Sequence, residues 1–444
     1  CSCSRLYCLM SVASAPRNWL PLMLPLMLLG LVIGVICIPL NEIDSISDHV
    51  LTDVFALGEG LGWFVLLPLV AMPLVLKLQQ RWLRPGAGSG IPQADACIED
   101  PELAPKLLGL RPLLSRLVLW SIAAGCLLPI GREGPVVFVG ASAVWLMRRS
   151  LKGPMREIGL PVLLAAAGGA GLAAGFNTPL VAILFSAEDL LKRFNLPLVW
   201  SSLPVALLAS LVAAYGGQPT FAYGELPMLV EGPMQMLLAL PVGVACGLIG
   251  ALFSALLLTF TRKVSPLAVR YPLPMGLVLG SGMLLMALGN PRVLGEGSAV
   301  LHDIINNAGE VPLWSGLAVI AERVFGPILV LGSGIPGGLI DPALAFGGVT
   351  GAVVMPWFSG HTGLIGMICG MAGGLAGATQ LPIFAALFTL KLTGALDCVP
   401  GLLVTSAMAA YISRWLQPKP IYHALTEIFL GKDDLPEEPE LPKA

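Results

Sequence analysis

Charge is scarce in this sequence. Only 12% of its 444 residues are Asp, Glu, Lys or Arg, against roughly 25% in a soluble globular chain. The charges also cancel: 25 basic and 27 acidic residues leave a net of −2. That excludes a nucleic-acid binder working through a basic field and a disordered acidic chain. Histidine is nearly absent. His49, His302, His361 and His423 read as loop or tail residues, so no metal or cofactor is expected. The nine cysteines are odd in number and scattered through apolar segments, which argues against a disulfide framework. The Cys1, Cys3, Cys8 group has no second Cys or His cluster nearby to complete a metal site.

What is abundant is apolar surface. Hydrophobic residues make up 56% of the chain, and the mean hydropathy is +0.84. Gly and Pro, 52 and 38 residues, form about a fifth of the chain, where roughly 12% is usual. This combination predicts a polytopic membrane protein with many interrupted helices. The stretch 20–38 is almost wholly apolar and long enough to cross a bilayer. Many later apolar segments are shorter than the ~20 residues of a full span. Broken helices at membrane depth are tolerated where the freed backbone is buried in protein or lines a cavity, which favours a transporter or channel.

Orientation follows from Lys and Arg. Arg5 and Arg17 precede the first span, and Lys77, Arg81 and Arg84 follow the second, which is placed at about 60–76. The stretch Asn41–Asp53 holds Glu42, Asp44, Asp48 and Asp53 and no Lys or Arg. It reads as an outside loop, with the N-terminus cytoplasmic. The chain begins with Cys, which leaves the natural N-terminus open.

An internal repeat is visible. Gly171–Phe185 aligns without gaps to Gly374–Phe388, and Gly131–Pro135 aligns to Gly338–Pro342 in the same order. Two halves then meet near Gly216–Pro233. Such a repeat places a substrate site between the halves near the bilayer midplane.

Three Gly/Pro-rich stretches precede helix-capable runs: Gly88-Ser89-Gly90-Ile91-Pro92, Gly131-Arg132-Glu133-Gly134-Pro135, and Gly332 through Pro342. Each reads as a loop that opens a helix, with Pro in the first turn. Helix N-termini offer unpaired N–H groups and partial positive charge. Several converging would hold a small inorganic anion without a full positive charge.

These residues resemble the CLC family of chloride channels and chloride/proton antiporters, whose anion-site motifs read GSGIP, GREGP and GxFxP in that order. The first two stand intact, and the resemblance extends over Gly171–Phe185 and Tyr422. It implies an all-α polytopic membrane protein of two inverted-topology repeats with short, broken, tilted helices, acting as a homodimer with one pore per subunit. On that pattern residues 1–222 form the first repeat with its N-terminal segment, 223–420 the second, and 421–444 a short tail carrying Tyr422. The family's C-terminal nucleotide-binding domains are not expected. Short loops fit a bacterial inner membrane.

Carried over by residue, the resemblance implies that Ser89 and Tyr422 offer hydroxyls to a central anion. Backbone around Gly90, Ile91, Gly131, Arg132, Gly134, Leu339 and Ile340 would complete the anion path. Ser89 matches the residue that favours chloride, where proline accompanies nitrate; other halides are further candidates. Glu133 would be the gate: a tethered carboxylate that occupies an anion position until a proton neutralises it. The partners implied are chloride, protons and lipid, with no nucleic acid.

Three residues depart from the pattern. Asp189 stands where the family's inner proton-transfer glutamate is expected, one methylene shorter; Glu188 beside it is a weaker candidate, since helix neighbours point about 100° apart. Ile340 replaces the usual Phe. Asp341 brings a negative charge to a helix N-terminus near the anion path and is expected to point away from it or to carry a proton.

Each residue also has a structural reading. Glu133 could pair with Arg132, and Glu188 or Asp189 with Lys192 or Arg193 four residues on. Tyr422 could sit in an aromatic belt, and Ser89 could bond its own backbone. Lys391 reads as a snorkelling end residue or as a partner for an acid. The function expected is chloride/proton exchange, with an uncoupled chloride channel or carrier as the alternative. An intramembrane hydrolase using Ser89 or Ser333 would need a nearby base, and no His falls in an apolar span. No enzymatic activity is expected.

Overall fold

The computed structural model describes residues 20–56, 62–148, 158–226, 236–360 and 362–431. Arg5, Arg17, His361, the Cys1, Cys3 and Cys8 group and part of the stretch where the halves meet lie outside them. The first run of helices is α1 (Leu20–Ala56), α2 (Leu67–Arg81), α3 (Ile91–Glu99), α4 (Ala104–Leu107), α5 (Leu110–Gly125), α6 (Glu133–Met147), α7 (Leu160–Phe176), α8 (Pro179–Phe185) and α9 (Leu196–Tyr215). A second run follows: α10 (Ala239–Arg270), α11 (Pro272–Gly289), α12 (Ser298–Asn306), α13 (Leu313–Leu331), α14 (Ile340–Val354), α15 (Pro356–Ser359), α16 (Gly363–Thr379), α17 (Pro382–Thr393), α18 (Val399–Leu416) and α19 (Ile421–Leu430). No β-strand occurs among the described residues. The fold is all-α, and seven helices, or eight counting the bent α4–α5 pair, are long and apolar enough to cross a membrane. This is an integral membrane protein.

The succession of helices recurs. A long helix opens each run, α1 and α10. The 15-residue α6 has its counterpart in the 15-residue α14, and the 17-residue α7 in the 17-residue α16. Both α7 and α16 stop at a left-handed residue, Asn177 at φ 51° and Gln380 at φ 63°. A proline two residues later opens the next helix, α8 or α17. The two short hairpins of helix therefore arise from the same local chemistry: a C-cap that breaks the run and a Pro that restarts it.

These short helices are the interior of the molecule. Almost every residue of α6, α7, α14 and α16 is buried. Their glycines let backbones touch, as at Gly140 against Ala167 and Gly171 against Val136 in one half, and Gly347 against Gly374 in the other. Close packing through small residues is how helices associate where lipid supplies no hydrophobic drive.

Two sequence expectations are corrected. The acidic stretch Asn41–Asp53 is no loop, because α1 continues unbroken through it to Ala56. Its acidic residues are tolerated in the helix because several face a polar cavity, described below. Lys192 does not pair with Glu188 or Asp189: it forms ion pairs with Asp95 at 3.5 Å and Glu99 at 3.4 Å. The helix winds into a π turn over Ser186–Leu190 and then ends, with Lys192 left-handed at φ 54°. The i,i+4 spacing on which that pairing depends is lost.

Candidate functional site

All three Gly/Pro stretches open helices, with Ile91, Glu133 and Ile340 as first residues. The loops also hold one another. Gly131 and Gly338, equivalent residues in the repeat, exchange backbone hydrogen bonds: Gly131 N donates to Gly338 O at 3.0 Å and Gly338 N to Gly131 O at 2.8 Å. Gly88 N donates to Gly334 O at 2.9 Å, so the first and third stretches also meet. A β-carbon on Gly134 would fall 2.5 Å from Ser89 O and 2.6 Å from Ser89 Oγ. Glycine at 134 is what lets the Ser89 loop reach the start of α6. The result is a cluster of helix N-termini at the centre of the molecule.

Glu133 sits in this cluster, fully buried. Its Oε1 accepts the backbone N–H of Ile340, the first residue of α14. A carboxylate of α6 thus occupies the anion-attracting end of α14. A β-carbon on Gly338 would overlap that carboxyl. Glu133 does not pair with Arg132. The Arg132 guanidinium is bound to Asp44 of α1 and packs over the Phe176 ring at 4.5 Å.

Several polar atoms here are buried without a hydrogen-bond partner: Ser89 Oγ, Tyr422 OH, Glu133 Oε2 and Asp341 Oδ2. Buried polar groups are normally satisfied, and these four oxygens are left able to bond a polar ligand or a proton. Ser89 does not bond its own backbone. Tyr422 is 2% exposed, inside the fold rather than in an aromatic belt. Its hydroxyl lies within electrostatic reach of Glu133, Asp189 and Asp341.

Two cavities approach the cluster. One, of about 380 Å³, is lined by Gly88, Ser89, Gly334 and Leu339 together with Gln79 near the end of α2 and Arg262 and Ser265 near the end of α10. The other, of about 490 Å³, is lined by Arg132, Asp341 and Glu296 together with Asp44, Asp48 and Asp53 of α1, and by His49 and His302. The equivalent helices α1 and α10 therefore end at different cavities.

Asp189 is buried, in the π turn that extends α8. Glu188 is occupied otherwise: its carboxylate accepts the N–H groups of Phe384 at 2.8 Å and Ile383 at 3.4 Å, across the chain at the start of α17. Lys391 donates to the carbonyl of Thr220 rather than to an acid. Asp341 does not point away from the site. Its carboxyl comes to Gly131 beside that of Glu133.

Sequence reading missed two groups. Arg116, fully buried, donates to the carbonyls of Gly88 at 3.2 Å and Ala87 at 2.9 Å, and stacks on Phe138. It fixes the Ser89 loop. The repeat offered a signal, since Arg116 and Arg323 stand at corresponding distances before Gly131 and Gly338. The second group is Asp95, Glu99 and His423, whose ligand atoms lie within 4.8 Å of one another. The Lys192 ammonium, 3.3 Å from His423 Nδ1, already supplies the positive charge there.

Known proteins place this geometry. The family model described as voltage gated chloride channel matches residues 71–414. The H(+)/Cl(-) exchange transporter ClcA of Yersinia pseudotuberculosis serotype IB is 27% identical over 447 residues, covering 94% of this chain and 90% of its own. The protein of the same name from Vibrio campbellii is 28% identical over 382 residues, covering 82% and 79%. Among solved structures, a slow cyanobacterial Cl-/H+ antiporter superposes with a TM-score of 0.76 at 23% identity, covering 93% of this chain and 98% of that one. A eukaryotic CLC transporter superposes with a TM-score of 0.73 at 20% identity, covering 92% and 74%. Both have this fold. The chain belongs to the voltage-gated chloride channel family, the CLC family.

Proposed function

We propose that this protein exchanges chloride for protons across a membrane, with Glu133 as the gate. The observation that carries the reading is the bond between the Glu133 carboxylate and the Ile340 N–H. A tethered anion there competes with a free one for the same helix N-terminus. Protonation removes the charge of Glu133 and releases its hold on Ile340, and chloride takes the place. One site that accepts either a carboxylate or a chloride couples the two movements. The orphaned hydroxyls of Ser89 and Tyr422 are the side-chain donors for the dehydrated anion, and the Ser89 hydroxyl favours chloride over nitrate. Asp189, buried and within electrostatic reach of Tyr422, is the inner proton site. The exchange activity named for the bacterial relatives supports the same reading.

In this reading the Ser89 cavity opens to the cytoplasm and the Arg132 cavity to the outside of a bacterial inner membrane. The charge distribution supports it. Lys77 and Arg81 end α2, and Arg262, Lys263 and Arg270 lie at the end of α10 beside the Ser89 cavity, whereas the end of α1 at the other cavity is acidic. Basic residues stay inside, so the N-terminus is cytoplasmic. The working unit in this reading is a homodimer, as the family resemblance implies. A hydrolase acting through Ser333 is disfavoured, since that hydroxyl is committed to the Val330 carbonyl at 2.6 Å.

The test uses purified protein in liposomes loaded with high chloride. Chloride efflux and external pH are recorded together, with and without a potassium ionophore. Uphill proton uptake driven by the chloride gradient is expected. Chloride efflux without proton movement would establish the second reading, an uncoupled carrier or channel, which Asp189 and Ile340 in place of the family's Glu and Phe favour.

A further inference from the structure

We propose that Asp341 is the outer proton donor to Glu133. The proposal rests on the exchange reading above and adds a second carboxyl to its mechanism. Asp341 is the second residue of α14 and is 8% exposed. Its Oδ2 and Oε2 of Glu133 are both buried, and neither has a hydrogen-bond donor in the protein. They converge on Gly131: a β-carbon placed there would lie 2.7 Å from Asp341 Oδ2 and closer still to Glu133 Oε2. Two ionised carboxyls side by side in a desolvated site repel each other. A proton held between them satisfies both orphaned oxygens and removes that repulsion.

The position of Asp341 also fits a relay. Glu133 is fully buried and does not line the acidic cavity, whereas Asp341 does. The charged and titratable groups facing Asp341 are Glu133 and Arg132 at the start of α6, Asp44 of α1, Glu296 before α12, and the hydroxyls of Tyr223 and Tyr422. Arg132 is the one cation among them, and it is bound to Asp44. Beyond it the cavity wall carries Asp48, His49 and His302, with the Ser298 hydroxyl held between Asp48 and Glu296. Groups able to carry a proton thus run from the cavity to the gate. Glu296 lies between two left-handed glycines, Gly295 at φ 70° and Gly297 at φ 130°, as Ser89 lies between Gly88 at φ 79° and Gly90 at φ 118°. One half presents a neutral hydroxyl for the anion at its cavity, and the other presents a carboxylate.

The step is balanced. The O–H bond of Asp341 breaks as an O–H bond forms on Glu133. Neutral Glu133 gives up the Ile340 N–H, and the Asp341 carboxylate takes its next proton from the cavity. An aspartate that only stabilises the start of α14 would do so through its charge and would not need to titrate.

The decisive variants are Asp341→Asn and Asp341→Glu, compared with the parent protein in chloride-loaded liposomes over a range of external pH. In Asp341→Asn the ratio of protons to chloride moved should fall by about a hundredfold or more, the lower end of what a lost general acid costs, while chloride still crosses. Asp341→Glu should restore most of the ratio. A parent-like ratio in Asp341→Asn at every pH would overturn the proposal and leave the exchange reading intact. So would a loss of both fluxes that is the same at every external pH and that Asp341→Glu does not relieve, because Asp341 would then act only through charge or structure. A parent protein that moves chloride but no protons would remove the exchange reading and this proposal with it.

Discussion

Arg116 and Arg323 perform the same task in the two halves. Each is fully buried, and each grips two consecutive carbonyls of the loop that opens a short helix. Arg116 holds Ala87 and Gly88 before α3, and Arg323 holds Leu294 at 2.7 Å and Gly295 at 2.6 Å before α12. The loops so fixed carry Ser89 on one cavity and Glu296 on the other.

Arg116→Met should therefore destabilise the protein and blunt anion binding together. It keeps the apolar stem but strands two carbonyls, each worth about 1–3 kcal/mol when buried without a donor. The midpoint of thermal unfolding in detergent should fall by several degrees, and chloride should stabilise the variant less than the parent. An unchanged midpoint with parent-like chloride binding would show that the loop holds its shape without the clamp.

Gly338→Ala should act as a partial opening of the gate. The new β-carbon would overlap the Glu133 carboxyl, and the backbone there is pinned by the exchange with Gly131. The side chain yields most easily, so the carboxylate leaves Ile340. Chloride efflux from liposomes should rise and the proton-to-chloride ratio should fall, as for Glu133→Gln. Retention of the parent ratio would mean that the backbone shifts instead.

Much of this site could be read from sequence, for a reason visible in the residues. Gly88–Pro92, Gly131–Pro135 and Gly332–Pro342 encode their conformation locally, because Pro restarts a helix and Gly permits the turn or the close approach. Their helix starts could be placed to within the first turn, where each Pro stands. The end of α1 could not: Asn41–Asp53 looks like a loop because its acids belong to a cavity formed with residues from distant parts of the chain, Gln218 and Glu296 among them. Glu188 was equally opaque, since its partners are backbone N–H groups of α17, far along the sequence. Asp341 was legible as an anomaly but not as a neighbour of Glu133, which only the Gly131–Gly338 pairing brings about.

Ser89→Ala and Tyr422→Phe should each weaken chloride binding without unfolding the protein. Neither hydroxyl has a protein partner to lose, and each would lose one hydrogen bond to a charged ligand, worth about 1.5–3 kcal/mol. Calorimetric titration with chloride should show affinity about tenfold or more lower for either variant, with unfolding midpoints near the parent's in chloride-free buffer. Parent-like affinity in both would place the anion on backbone N–H groups alone.

Adjacent acids at 188 and 189 should separate in their effects. Asp189 is buried with no ion pair of its own among the described residues, so Asp189→Asn should abolish proton movement and leave chloride flux measurable. Asp189→Glu should keep proton movement, since it restores the longer carboxylate of the family. Glu188 instead caps the start of α17. Glu188→Ala should cost about 0.5–2 kcal/mol of stability, as other lost helix caps do, and leave the proton-to-chloride ratio near that of the parent. Paired flux and unfolding measurements on the three variants decide the matter. If Glu188→Ala lost proton transport while Asp189→Asn kept it, the inner proton site would move to Glu188. The π turn would then have to be rearranging during transport, to free that carboxylate from Phe384.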